Sequence, residues 1–68
     1  MEVAKPLERV LAKHRVSQAE LARALGMSRS TVSLWLAGKR YPSIKTMAWI
    51  AWALDEDVNN LFEVQEGE

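Results

Sequence analysis

A chain of 68 residues with nine Lys and Arg, nine Asp and Glu and no cysteine sits near the lower size limit for a self-sufficient core and has no disulfide to staple it. No stretch is apolar for the length of a membrane helix, and Met1-Glu2-Val3-Ala4-Lys5 lacks the basic-then-apolar order of a secretory signal. These features exclude a membrane span and an exported disulfide scaffold, and place the expected domain in the cytoplasm without metal or cofactor.

In chain order, Pro6 suits the first turn of an opening helix, and Leu7, Val10, Leu11 and His14 follow at helical spacing, predicting a first helix over about 6–14. Ser17 with Glu20 three residues on forms a capping box that starts a second helix. Leu21 and Leu25 make its apolar stripe, small Ala22 allows another helix to cross closely, and Gly26 ends it in a left-handed residue. Ser28 caps a third helix in which Val32, Trp35 and Leu36 face one side and Arg29, Ser30, Ser33 and Leu34 the other. Gly38-Lys39-Arg40-Tyr41-Pro42 breaks it.

Ser43 caps a fourth helix with Ile44, Met47, Ile50, Ala51 and Leu54 as its predicted core stripe, and Asp57 caps a short fifth carrying Val58, Leu61 and Phe62. The acidic tail 64–68 is expected to fray from Gln65 onward, outside an ordered core of about 5–63. No strand pattern, repeat or linker divides the chain, so residues 1–68 read as one all-α domain.

The zero net charge conceals a segregation. Residues 1–45 hold all nine bases against Glu2, Glu8 and Glu20, a net of +6, and residues 46–68 hold six acids and no base, a net of −6. A dipole of this kind steers its positive part toward a polyanion and turns its acidic end away.

Two short amphipathic helices hinged at Gly26 are the wiring of a helix-turn-helix. Gln18, Ala22, Gly26, Val32, Trp35 and the Gly38-Lys39-Arg40 run with Pro42 share the spacing of the lambda-repressor and Cro-like helix-turn-helix family, which the chain resembles from about Leu7 to Phe62. The resemblance implies a compact five-helix domain whose helices 2 and 3 form the DNA-binding unit, with helix 3 in the major groove and dimers reading two half-sites about 34 Å apart. It also implies residue roles. Gln18 holds a phosphate at a helix N-terminus, and Arg29 reads guanine O6 and N7. Ser28, Ser30 and Ser33 contact bases or phosphate, Leu34 lies against a thymine methyl, and Lys39 and Arg40 grip the backbone with Tyr41 and Lys45. Local hydrogen bonding remains an alternative for Ser28, and simple surface exposure for Ser33.

Three departures from the family pattern stand out. An Arg–Glu pair common in the family is replaced by Leu11 and Leu36, an exchange of a buried ion pair for an apolar contact. Arg15 stands where glycine often follows the first helix, so either the turn differs or Arg15 takes a left-handed conformation. On a wheel of 100° steps, Trp49 and Trp52 lie roughly 140° to 160° from the predicted core stripe of helix 4. Two outward indoles beside Ala48 form an apolar patch expected to contact a second copy or a partner protein, unless the helix is rotated or covered.

Catalysis finds no support. His14 lies on an apolar stripe with no cysteine to partner it, and Asp55, Glu56 and Asp57 read as a cap and solvated charges. The expected function is a sequence-specific double-stranded DNA-binding regulator, a dimeric repressor of small phage or bacterial type that acts on an operator. The alternative is an antitoxin-like or adaptor interaction module that uses the Trp49/Trp52 face.

Overall fold

The computed structural model describes residues 2–63, so the expected fraying of the acidic tail lies outside the described residues. Four α-helices follow one another: α1 (Ala4–His14), α2 (Gln18–Leu25), α3 (Arg29–Leu36) and α4 (Ile44–Leu54), with a 3₁₀ turn at Val58–Asn60. Glu2 and Glu63 join the two ends in an isolated antiparallel bridge, exchanging N–H···O bonds of 2.7 Å in both directions.

The local signals act as their chemistry requires. Ser17 Oγ accepts the Glu20 N–H at 3.1 Å and Glu20 Oε1 accepts the Ser17 N–H at 2.9 Å, closing the capping box of α2. The hydroxyls of Ser28 and Ser43 accept the N–H of Thr31 and Thr46 at the starts of α3 and α4. α1 starts two residues earlier than the expected position 6. Its N-cap is Val3, whose side chain offers no hydrogen bond. Val3 is instead buried in the core and its carbonyl accepts the Leu7 N–H at 2.9 Å. Pro6 then occupies the first turn, where its missing N–H leaves no acceptor unsatisfied.

All four helices end alike. A residue with positive φ (Arg15, Gly26, Gly38 or Asp55) is followed by one whose N–H reaches back five positions: Val16 to Leu11, Met27 to Ala22, Lys39 to Leu34 and Glu56 to Ala51. This is a Schellman closure, which satisfies carbonyls that the helix leaves free. Gly26 and Gly38 have φ of 67° and 73°, and a Cβ would meet nothing closer than the Ala4 Cβ at 3.8 Å. Conformation and not space therefore calls for glycine there.

The core gathers Leu7, Val10 and Leu11 of α1, Leu21, Ala22 and Leu25 of α2, Val32 and Trp35 of α3, Ile50 and Ala51 of α4, and Leu61. Leu36 is half-buried against this cluster and Leu11 is buried within it. Apolar side chains thus occupy both places where the resemblance implies an ion pair.

Two expectations fail. Ile44 is not a core residue: it is 78% exposed. The buried residues of α4 are Thr46, Met47, Ile50 and Ala51, and on a 100° wheel Ile44 stands about 90° from their centre, at the helix start. Leu54, assigned to the same stripe, is half-buried. The short fifth helix is one 3₁₀ turn, capped by Asp57 as expected, with Leu61 and Phe62 beyond it. Leu61 is nevertheless buried to 1% exposure, so this segment is anchored by a side chain and not by helical length. No helix among the described residues is long and apolar enough to cross a membrane.

Candidate nucleic-acid interface

α2 and α3 pack on each other through Leu21, Ala22, Leu25, Val32 and Trp35, all buried. Ala22, at 4% exposure, keeps the crossing free of side-chain bulk. The opposite side of this pair is polar. Gln18 at the first position of α2 and Arg29, Ser30, Ser33 and Leu34 of α3 together line an open hollow of about 530 Å³. Five of the ten residues assigned to DNA by sequence therefore surround one depression, although Gln18 comes from α2 and the other four from α3. Arg29, Ser30 and Ser33 are exposed, while Gln18 and Leu34 are half-buried at its wall.

The first N–H groups of a helix have no acceptor within it. Those of Gln18 and Ala19 in α2, and of Arg29 and Ser30 in α3, occupy that position. Ser28 belongs to the helix start more than to the hollow. Its Oγ accepts the Thr31 N–H at 3.2 Å and lies 2.9 Å from Thr31 Oγ1. Thr31 is thus a half-buried partner that sequence reading overlooked, although its spacing from Ser28 repeats that of Ser17 and Glu20. Lys39, Arg40 and Tyr41 lie in the loop after Gly38, and Lys45 is in the first turn of α4; all four are exposed. They form a second group and do not line the hollow.

The ion pairs sort the charges. Arg9 meets Glu63 at 2.6 Å, and Glu56 Oε2 lies 3.3 Å from Lys13 Nζ and 2.9 Å from His14 Nε2. Glu56 and Glu63 therefore engage Arg9, Lys13 and His14 of α1. Arg29, Lys39, Arg40 and Lys45 have no ion-pair partner among the described residues. Glu56 is not a solvated charge: its side chain keeps 8% of its exposure. The hydrogen bond to His14, aided by one from the Asn60 amide and by Lys13, holds its carboxyl down to about 2. Glu20 is also held below the usual carboxylate range, first by the Ser17 N–H.

Trp49 and Trp52 both face outward, at 46% and 81% exposure, on a different helix from the hollow.

A family model for the Cro/C1-type helix-turn-helix DNA-binding domain matches residues 6–67. The chain belongs to this family. Membership makes the chain a helix-turn-helix DNA-binding domain. No curated protein matches it.

Proposed function

We propose that this Cro/C1-type domain is a sequence-specific transcriptional regulator that binds an operator as a homodimer and represses by occupancy. α3 enters the major groove of double-stranded DNA, and the protein acts in the cytoplasm by binding rather than catalysis. The observation that carries the reading is the hollow shared by Gln18, Arg29, Ser30, Ser33 and Leu34, together with Arg29, Lys39, Arg40 and Lys45 having no ion-pair partner among the described residues. Arg29 at the start of α3 reads a guanine edge through its fork. Ser30 and Ser33 offer short donors to base edges or phosphate, and Leu34 offers an apolar contact to a thymine methyl. Gln18 and the N–H groups beside it hold one phosphate, while Lys39, Arg40, Tyr41 and Lys45 hold the backbone on the far side of α3. Ser28 contributes by capping α3 and so fixing where Arg29 starts.

Selection from a randomised duplex library at near-physiological salt tests this. The expected result is enrichment of an inverted-repeat site, because a two-fold dimer reads two identical half-sites. Retention without sequence enrichment would overturn the reading. It would favour the second one, an interaction module, which the exposed Trp49 and Trp52 support.

A further inference from the structure

The solvent face of α4 is the least ordinary surface of the molecule. Its exposed residues are Ile44, Lys45, Ala48, Trp49, Trp52 and Ala53, of which one alone is charged. Ile44 at 78% and Trp52 at 81% exposure stand eight residues apart on one row with Ala48 midway between them. A large–small–large row of this kind is self-complementary when two copies run antiparallel. Ala48 then crosses the partner's Ala48 at close range, and each Ile44 meets the partner's Trp52.

Charge selects the same direction. The start of α4 is flanked by Lys39, Arg40 and Lys45, and its end by Asp55 and Asp57. Antiparallel pairing brings each basic end to an acidic one, whereas parallel pairing sets Lys45 against Lys45. Aromatic side chains offer about 150–250 Å² each, so the exposed parts of Ile44, Trp49 and Trp52 leave roughly 300–450 Å² per chain. Two copies remove on the order of 600–900 Å², in the range of weak, transient interfaces.

We infer that α4 pairs antiparallel with α4 of a second copy across a two-fold axis at Ala48, with Ile44 against the partner's Trp52. The inference deepens the dimeric reading of the function and rests on it. An isologous contact closes on itself and stops at two chains. Its modest area gives a dimer that dissociates in the micromolar range, so that DNA completes the association.

The test uses the full chain, which has no native cysteine. Sedimentation from micromolar to submillimolar concentration is expected to show a monomer–dimer equilibrium. Trp52→Lys and, separately, Ala48→Arg should weaken it at least tenfold with an unchanged thermal melt. Ala48→Cys, oxidised by copper–phenanthroline so that two thiols lose two electrons to the reagent, should give a disulfide-linked dimer, since the Cβ atoms must come within about 3.5–4.5 Å. Glu8→Cys, on exposed α1 surface, should give no more than collisional cross-linking. A wild-type monomer throughout, or a dimer insensitive to both substitutions, overturns the pairing. The selected duplex separates the two readings: specific binding to an inverted repeat by a dimer that both substitutions leave intact overturns the pairing alone, and an intact α4 dimer without specific binding overturns the function alone.

Discussion

α3 and α4 are both amphipathic helices of one small fold, yet their outward faces are opposites. α3 presents Arg29, Ser30 and Ser33, whereas α4 presents Ile44, Ala48, Trp49 and Trp52 around a single Lys45. Both helices bury their other side in the same core. The fold therefore asks only for the inner stripe, and the character of each outer face is left to whatever it meets. A polar, cationic outer face suits phosphate and base edges, and an apolar one suits another protein surface.

The largest effect should come from exchanging inside for outside within one residue type. Trp35 is 3% exposed and Trp52 81%. Trp35→Ala should lose about 3–5 kcal/mol of stability, comparable with the total of order 3–10 kcal/mol for a domain this size. Trp52→Ala should leave the thermal midpoint nearly unmoved. Unfolding of both variants would place Trp52 among the structural residues and end the contrast. A smaller loss, about 1–3 kcal/mol, is expected for Leu36→Glu, which puts a charge against the core where Leu11 offers no cation. A melt at the wild-type temperature would show that Leu36 is free to turn outward.

The outer face of α3 is probed by pairing Arg29→Ala with Lys39→Ala. The first should lose about 1–3 kcal/mol of operator binding and relax one base position, and the second should weaken all duplexes alike and reduce the salt slope by about one. Equal losses on specific and random DNA for Arg29→Ala would remove its reading role while leaving the hollow intact.

Much of this contrast was legible beforehand because it rests on local periodicity. Ser17 with Glu20, the glycine at 26, and the outward placement of Trp49 and Trp52 all depend on residues within a few positions of one another. What escaped depends on distant partners. Glu56 is held by Lys13 and His14 from the other end of the chain, and the Glu2–Glu63 bridge is too short to leave an alternating pattern. Asp57 gave the same capping signal that a longer helix would have given. The left-handed end at Asp55 carries no glycine to announce it, whereas the one at Arg15 was among the two alternatives legible there, and Ile44 was misplaced because a helix start offers too few turns to fix the centre of the buried face.

Acid titration tests the seam at which Glu56 engages Lys13 and His14 of α1. In the folded chain the Glu56 carboxyl is held down to about 2 from an ordinary 4.5, so between these values the unfolded chain binds more protons. The stabilisation is therefore fully present above about 4.5 and is lost as pH falls toward the lower value. Denaturant midpoints of wild type and Glu56→Gln should converge over this window. Parallel curves would assign the acid sensitivity elsewhere.

The smallest expected effect separates backbone from side chain at the end of α1. Arg15 holds φ 57° and ψ 43°, a left-handed conformation that costs a residue with a Cβ about 1–2 kcal/mol. Its N–H bonds back to Ala12 and Leu11, so the conformation is imposed by the Schellman closure and not by its exposed guanidinium. Arg15→Gly should relieve that cost, less the entropy of a more flexible unfolded chain, for a net gain of about 0.5–1 kcal/mol in a denaturant melt. Gly38→Ala should lose a similar amount, because its Cβ would have ordinary room beside Ala4 and only the positive φ opposes it. Should Arg15→Gly instead lower stability, the side chain and not the turn would be what Arg15 supplies. A drop in DNA affinity without one in stability would extend the cationic surface from α3 to the end of α1.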